Sequence, residues 1–196
     1  MGSRKISVGA DRFLALKWAD YAFELFQTKK DEDYLYHSLC IYLDSEIEGQ
    51  ETSRKTANQL KRLWLSGDDP YHNLRLAALE ISIHTHLELM SILHLGLALN
   101  VFPIYRETAK AIGVLDRVID PIPKKSVSER VLETFGNKSS ILRSTDRVLQ
   151  TLEDWGFISS QENYVSINDI DLQNNHCAEW FIRALVSMRG SHGIAI

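Results

Sequence analysis

The chain of 196 residues contains 44% hydrophobic and 24% charged residues, which is enough for a folded core without metal or disulfide support and excludes a largely disordered protein. Its formal net charge of −4 gives no general attraction to nucleic acid, although residues 101–150 carry nine basic and six acidic side chains. Cys40 and Cys177 form no CxxC motif, and no secretory signal precedes them, so we expect free thiols and a cytoplasmic protein.

The N-terminal half has the periodicity of helices. Apolar spacing predicts a first helix over residues 10–27, a second over 33–47 and a third that ends near Leu65. Residues 71–100 predict two central helices, either broken near residues 84–85 or continuous. The uncharged stretch 89–105 is too short and too interrupted to cross a bilayer, so we expect a buried helix and no membrane association.

A stiff connector follows a further predicted helix over residues 104–118. The two prolines of DPIPKK indicate a domain boundary, with a helical domain over residues 1–120 and a second domain over 121–196. Just beyond the connector, Ser126 and Glu129 match the pattern of a capping box at a helix start.

The second domain is predicted to contain two helices and a hairpin. Gly136 lies where a C-cap glycine belongs, and a second helix is predicted from about Ser140 to Trp155. A strand that begins at Phe157, the turn SSQEN and a returning strand over 164–167 complete a single hairpin, and a last helix is predicted over residues 172–188.

These elements predict a mainly α protein, a helical bundle with helix-turn-helix units. One unit would span residues 33–65. The other, over residues 121–196, would be a winged helix with a single β-hairpin. A plain α+β corner would show the same local pattern.

One face of the helix predicted over 140–155 carries a polar stripe. Side chains three and four residues apart share a helix face, which places Ser140, Arg143, Arg147 and Gln150 together. Guanidinium and amide groups read base edges or hold phosphates, and the second helix of a helix-turn-helix enters the major groove. The stripe therefore predicts contact with double-stranded DNA.

Three lysines would lie near the ends of the preceding helix, within reach of phosphates: Lys124, Lys125 and Lys138. Two alternatives stay open. Arg143 could pair with Asp146, so that the arginines form an ordinary solvated face, or the winged helix could bind a protein instead of DNA.

An upstream segment, SRKTANQLKRLW, resembles the downstream helix. Arg54, Thr56, Leu60 and Leu63 recur 89 positions later as Arg143, Thr145, Leu149 and Leu152. Such matches also arise by chance among amphipathic helices. If the repeat is real, a second basic helix would contact DNA through Arg54, Lys55, Asn58, Lys61 and Arg62.

No motif indicates catalysis. GxGxxG, Walker, GxSxG and HExxH patterns are missing from the sequence. His84 and His86 would point about 200° apart on a helix, so they cannot share an ion, and His84 with Glu88 falls short of a metal site. We therefore expect a non-enzymatic protein without cofactor or metal, in which these histidines and His94 are satisfied or half-buried.

The order of these segments resembles the BrxA family of bacterial BREX phage-defence systems. The resemblance is carried by the Ser/Arg/Lys-rich third helix, the long apolar middle, and STDRVLQTLEDWGFIS followed by a short strand. It implies helix-turn-helix or winged-helix units and non-enzymatic DNA binding through ETSRKTANQLKR and NKSSILRSTDR, the second of which adds Ser139. The alternative is an adaptor that assembles other defence-system proteins or a homodimer.

Overall fold

The computed structural model describes residues 9–83, 90–170 and 175–189. The helices are α1 (Leu16–Gln27), α2 (Glu32–Glu46), α3 (Gln50–Leu60), α4 (His72–Ser82), α5 (Met90–Val101), α6 (Pro103–Leu115), α7 (Lys124–Phe135), α8 (Ser139–Asp154) and α9 (Asn175–Arg189). A π-helical turn, Lys61–Leu65, continues α3. The strands are β1 (Ile122–Pro123), β2 (Ile158–Gln161) and β3 (Tyr164–Ile167). The prediction of a mainly α protein is confirmed.

The chain divides into two compact units. Unit 1 comprises Met1–Phe13 with Phe102–Ile170, and unit 2 comprises Leu14–Val101 with Asp171–Ile196. This division differs from the predicted boundary at residue 120. Within the described ranges, no helix has both the length and the apolar character needed to span a bilayer.

Unit 1 has the topology of a winged helix. Its strands form an antiparallel sheet in the order β1-β3-β2, in which Val165 pairs with both Ile122 and Ser160. Helices α6, α7 and α8 pack on one another beside this sheet. The predicted winged helix with its hairpin, β2 and β3, is therefore confirmed, and β1 adds a third strand.

Helix α6 belongs to unit 1 because its buried face packs on α7 and α8. The ring of Tyr105 lies 6.1 Å from that of Trp155, centroid to centroid, and both side chains are buried. Pro121 thus directly precedes β1 and Pro123 belongs to β1, so both prolines of the connector lie inside the winged helix and not at a domain boundary.

The predicted capping box is wrong. Helix α7 begins at Lys124, two residues before Ser126, and no side chain caps its N-terminus. Pairing of β1 with β3 fixes this start, since the Lys124 N–H donates to the carbonyl of Asn163 at 2.8 Å.

Unit 2 is centred on α5. Every residue of α5 except Ser91 is buried, which confirms the predicted buried helix. Helix α9 packs along α5, with the Trp180 indole over Gly96. The Asn100 amide links the two helices, because its Nδ2 donates to the carbonyls of Gly96 at 2.8 Å and Ala184 at 3.0 Å.

Arg75 closes the end of the π-helical turn. Its fully buried guanidinium donates to both Asp69 carboxylate oxygens, at 2.7 and 2.8 Å. It also donates to the carbonyls of Arg62, Leu63 and Ser66. The carbonyls that the end of a helix leaves without partners are satisfied here by one side chain.

Candidate nucleic-acid interface

Two glycines and an apolar face set the position of α8. Gly136, at φ 84°, ends α7, and Gly156, at φ 82°, ends α8 and lets the chain enter β2. Such positive φ values favour glycine because it has no Cβ. The buried face of α8 includes Ile141, Val148, Leu149 and Leu152, so the opposite face is turned to solvent.

The solvent face of α8 brings six predicted residues together. We call it the α8 surface, and it consists of Lys138, Ser139, Ser140, Arg143, Arg147 and Gln150, all exposed. Arg147 Nη1 donates to Gln150 Oε1 at 2.8 Å. Among the described residues neither Arg143 nor Arg147 forms an ion pair with a carboxylate, so the alternative in which Arg143 pairs with Asp146 is not observed.

The first turn of α8 adds to the positive potential of this surface. No side chain caps the helix, and Lys138 occupies the N-cap position. The first backbone N–H groups of a helix lack partners within it and favour an anion. Ser139 and Ser140 place two exposed hydroxyl groups beside them.

Asp146 opposes this potential. It lies on the same exposed side of α8, one position before Arg147. Burial raises the pKa of the Asp146 carboxyl, while Arg147 and Lys124 act to lower it. A carboxylate beside Arg147 repels phosphate, so Asp146 limits the affinity of the α8 surface for a polyanion.

The remaining lysines of unit 1 have different environments. Lys124 Nζ donates to the carbonyl of Glu162 at 3.0 Å and so braces the turn between β2 and β3. Lys125 Nζ lies 3.8 Å from Glu129, and its side chain is 87% exposed. Residues 158–167 contain Glu162 and no basic residue, so the hairpin itself provides no cation for phosphate.

The upstream basic residues on α3 and the π-helical turn are partly neutralised. Lys55 Nζ lies 2.6 Å from Glu51, and Lys61 Nζ lies 2.8 Å from Glu32. Asn58 Oδ1 accepts a hydrogen bond from the Tyr36 hydroxyl at 2.7 Å. Arg54 and Arg62 are exposed.

The two similar helices share a burial pattern. In both segments the arginine is exposed and the threonine and two leucines are buried, as seen for Arg54, Thr56, Leu60 and Leu63 and for Arg143, Thr145, Leu149 and Leu152. They differ beyond that point, because α3 passes into a π-helical turn whereas α8 stays α-helical and leads into a strand. A three-residue connection over 47–49 joins α2 to α3.

His94 is a satisfied core histidine, as predicted. Trp64 Nε1 donates to His94 Nδ1 at 2.9 Å, and His94 Nε2 lies 2.8 Å from Asp20 Oδ1. His84, His86 and Glu88 lie outside the described residues. Across the described part of the chain no cluster of three or more His, Cys, Asp or Glu side chains could hold a metal ion.

Comparison of the chain with protein-family models, curated proteins and solved structures gives no match.

Proposed function

We propose that this protein is a non-enzymatic DNA-binding accessory protein that places the N-terminal half of α8 in the major groove. One observation supports this most strongly. Arg143 and Arg147 are exposed on the second helix of a helix-turn-helix, and no described carboxylate forms an ion pair with either. Guanidinium groups can then donate to phosphates or guanine edges without first breaking an ion pair within the protein.

Phosphate contact would make the affinity strongly dependent on salt. Each phosphate neutralised makes the slope of log K against log salt more negative by about 0.9. Lys138, Arg143 and Arg147 all belong to the exposed α8 surface, so two or three phosphate contacts are expected to make that slope more negative by about 2–3.

Fluorescence anisotropy with a labelled duplex, over a salt series, tests the proposal. The double variant R143E/R147E should weaken binding by more than about a hundredfold at low salt, because two attractive contacts become repulsive. The matched control is K110E/R117E, which makes the same change in net charge in the same unit, at exposed residues in α6 and just after its end.

The duplex affinities of R143E/R147E and K110E/R117E together show whether α8 contacts DNA. If R143E/R147E binds as well as the control, α8 is not the DNA-binding element. Thermal unfolding of both variants should stay near that of the wild type, because all four side chains are exposed.

A protein-interaction adaptor is the second candidate. The hairpin of β2 and β3, which is the wing of the winged helix, favours it. The wing lacks basic residues and leaves Tyr164 44% and Ile167 46% exposed. Exposed aromatic and aliphatic side chains suit a protein partner better than a phosphate backbone. This candidate predicts no anisotropy change at low salt and a co-purified partner that Y164D/I167D releases.

We further propose a cytoplasmic role in bacterial phage defence of the BREX type. Support comes from the resemblance of the third helix and the α8 segment to the BrxA family. Deleting the gene should raise the efficiency of plating of phage, and the wild-type gene should restore protection. Restoration by R143E/R147E as well would separate the defence role from DNA contact.

A further inference from the structure

Unit 2 contains a mainly apolar cavity that shares no residue with the α8 surface. Its volume is about 380 Å³, and it lies between the end of α1, the start of α2, the end of the π-helical turn and α4. Its wall is mainly apolar and is formed by Phe26, Leu35, Leu65, Leu76 and Leu79, with His72 as a polar member of the lining. A volume of this size falls within the range of small-molecule sites, about 300–1,000 Å³.

The rim of the cavity is cationic. Lys29 and Lys30 line it, and neither forms an ion pair with a described carboxylate. Lys30 Nζ lies 4.2 Å from the centre of the Tyr34 ring. Lys29 adopts a left-handed backbone conformation, with φ 53°, that a non-glycine residue rarely takes.

The one acidic residue at the rim already has partners. Glu32 lines the cavity, but its carboxylate lies 2.8 Å from Lys61 Nζ and accepts the Gly67 N–H at 3.2 Å. Its charge is therefore offset by Lys61. An apolar wall with two uncompensated lysines beside it complements a ligand with an apolar body and an anionic head.

We propose that this cavity binds a small amphipathic carboxylate, of the class of medium-chain fatty acids. The aliphatic body would lie against the five apolar side chains, and the carboxylate would lie between Lys29 and Lys30. Leu76, which is 40% exposed, would be covered by the bound chain. The inference is independent of DNA binding, since it uses no residue of the α8 surface.

Octanoate and decanoate below their micelle concentrations, and 1-octanol below its solubility limit, are suitable probes. Isothermal titration should show saturable binding of octanoate, and decanoate should bind more than about tenfold more tightly, because each buried methylene adds about fourfold. In methyl NMR spectra the shifts should be confined to leucines that line the cavity, chiefly Leu35, Leu65, Leu76 and Leu79.

Two surface variants separate the head group from the body. K29N/K30Q should weaken octanoate by at least about threefold and leave 1-octanol unchanged, since exposed lysines contribute modest attraction. Asparagine also tolerates the left-handed conformation at position 29. K17Q/R183Q is the control, because it likewise removes two positive charges, at exposed residues of the same unit that lie outside the cavity lining.

A third variant, L76W, tests whether the aliphatic body of the ligand lies in the cavity, because the larger side chain would fill the mouth of the cavity. It should abolish binding of octanoate and 1-octanol alike, and the exposure of Leu76 allows this change without disturbing the core. Equal binding of octanoate by wild type and K29N/K30Q would overturn the proposal. So would methyl shifts that grow without saturation or spread beyond the cavity.

Discussion

Replacing Gly96 by alanine tests the contact on which the packing of α9 against α5 depends. A Cβ at position 96 would lie 2.5 Å from Cζ3 and 2.7 Å from Cη2 of Trp180, and 3.2 Å from Cβ of Ala184. The indole would have to move. It is fully buried, and its Nε1 donates to the carbonyl of Leu74 at 3.2 Å, so movement strains or breaks that hydrogen bond.

The magnitude follows from opposing effects. Alanine stabilises a helix by about 1 kcal/mol relative to glycine. Overpacking a core costs about 1–3 kcal/mol, and loss of the indole hydrogen bond costs about 1 kcal/mol more. The Gly96→Ala variant should therefore be less stable than the wild type by about 1–3 kcal/mol.

Urea denaturation followed by far-UV circular dichroism measures this difference. Gly113→Ala is the matched control, because Gly113 is an exposed residue of α6 and a Cβ at that position would meet no neighbouring atom within 4 Å. The Gly113→Ala variant should be more stable than the wild type by about 0.5–1 kcal/mol. In a Trp180→Leu background the Gly96→Ala penalty should disappear. A Gly96→Ala variant as stable as the wild type would refute the packing argument.

Further predictions concern single side chains. Arg75→Met should cost about 3–5 kcal/mol in urea denaturation, because it leaves the Asp69 carboxylate without its buried counterion. Burial raises the pKa of the Asp69 carboxyl, but the Arg75 guanidinium lowers it by more, so the pKa of Asp69 lies below its ordinary value of 3.8. The pair therefore stabilises the protein at neutral pH, and this contribution is lost as the pH falls from about 4 through the lowered pKa of Asp69. The melting temperatures of wild type and Asp69→Asn should converge only below that lowered pKa. Burial raises the pKa of Asp146, so its charge costs stability at pH 7 and not at low pH. Asp146→Asn should raise the melting temperature at pH 7 only, and tighten duplex binding a few-fold in anisotropy. His94→Phe should cost about 1–3 kcal/mol in urea denaturation, because the buried Trp64 N–H loses its acceptor.

Local signals in the sequence were sufficient to predict α7, α8 and the hairpin. Gly136 ends α7 with a positive φ, as its position in the sequence indicated, and Gly156 follows α8 with a positive φ as well. The alternation over 164–167 corresponds to β3, in which Val165 is buried and Tyr164 exposed. These features depend on neighbours within a few residues, so a single sequence carries them.

Contacts between residues far apart in the sequence could not be predicted from local patterns. The strand β1 has only two residues, Ile122 and Pro123, and its partner lies more than forty positions away in β3. Pro121 and Pro123 therefore indicated a connector and not a strand. The placement of α9 in unit 2 depends on Trp180 meeting Gly96, and no local pattern specifies that contact.

In the candidate site, too, some features follow from the local sequence and others depend on the fold. Helical spacing was enough to group Arg143, Arg147 and Gln150 on one exposed face. The pair Glu51–Lys55 has the four-residue spacing of a helical ion pair and could have been predicted from the sequence. The pair Glu32–Lys61 joins α2 to the π-helical turn, and only the fold brings it together.

These ion pairs distinguish the two basic segments. A lysine that already contacts a carboxylate must exchange that contact for a phosphate, so its net contribution to binding is smaller than that of an unpaired cation. Lys55 and Lys61 are in this position, whereas Arg143 and Arg147 are not. The attraction for DNA should therefore come mainly from α8, although the two segments share the same pattern of exposed arginine and buried leucines. If the proposed DNA contact is made, the net charge of −4 and Asp146 beside Arg147 should keep that attraction local, and it should fall steeply with salt.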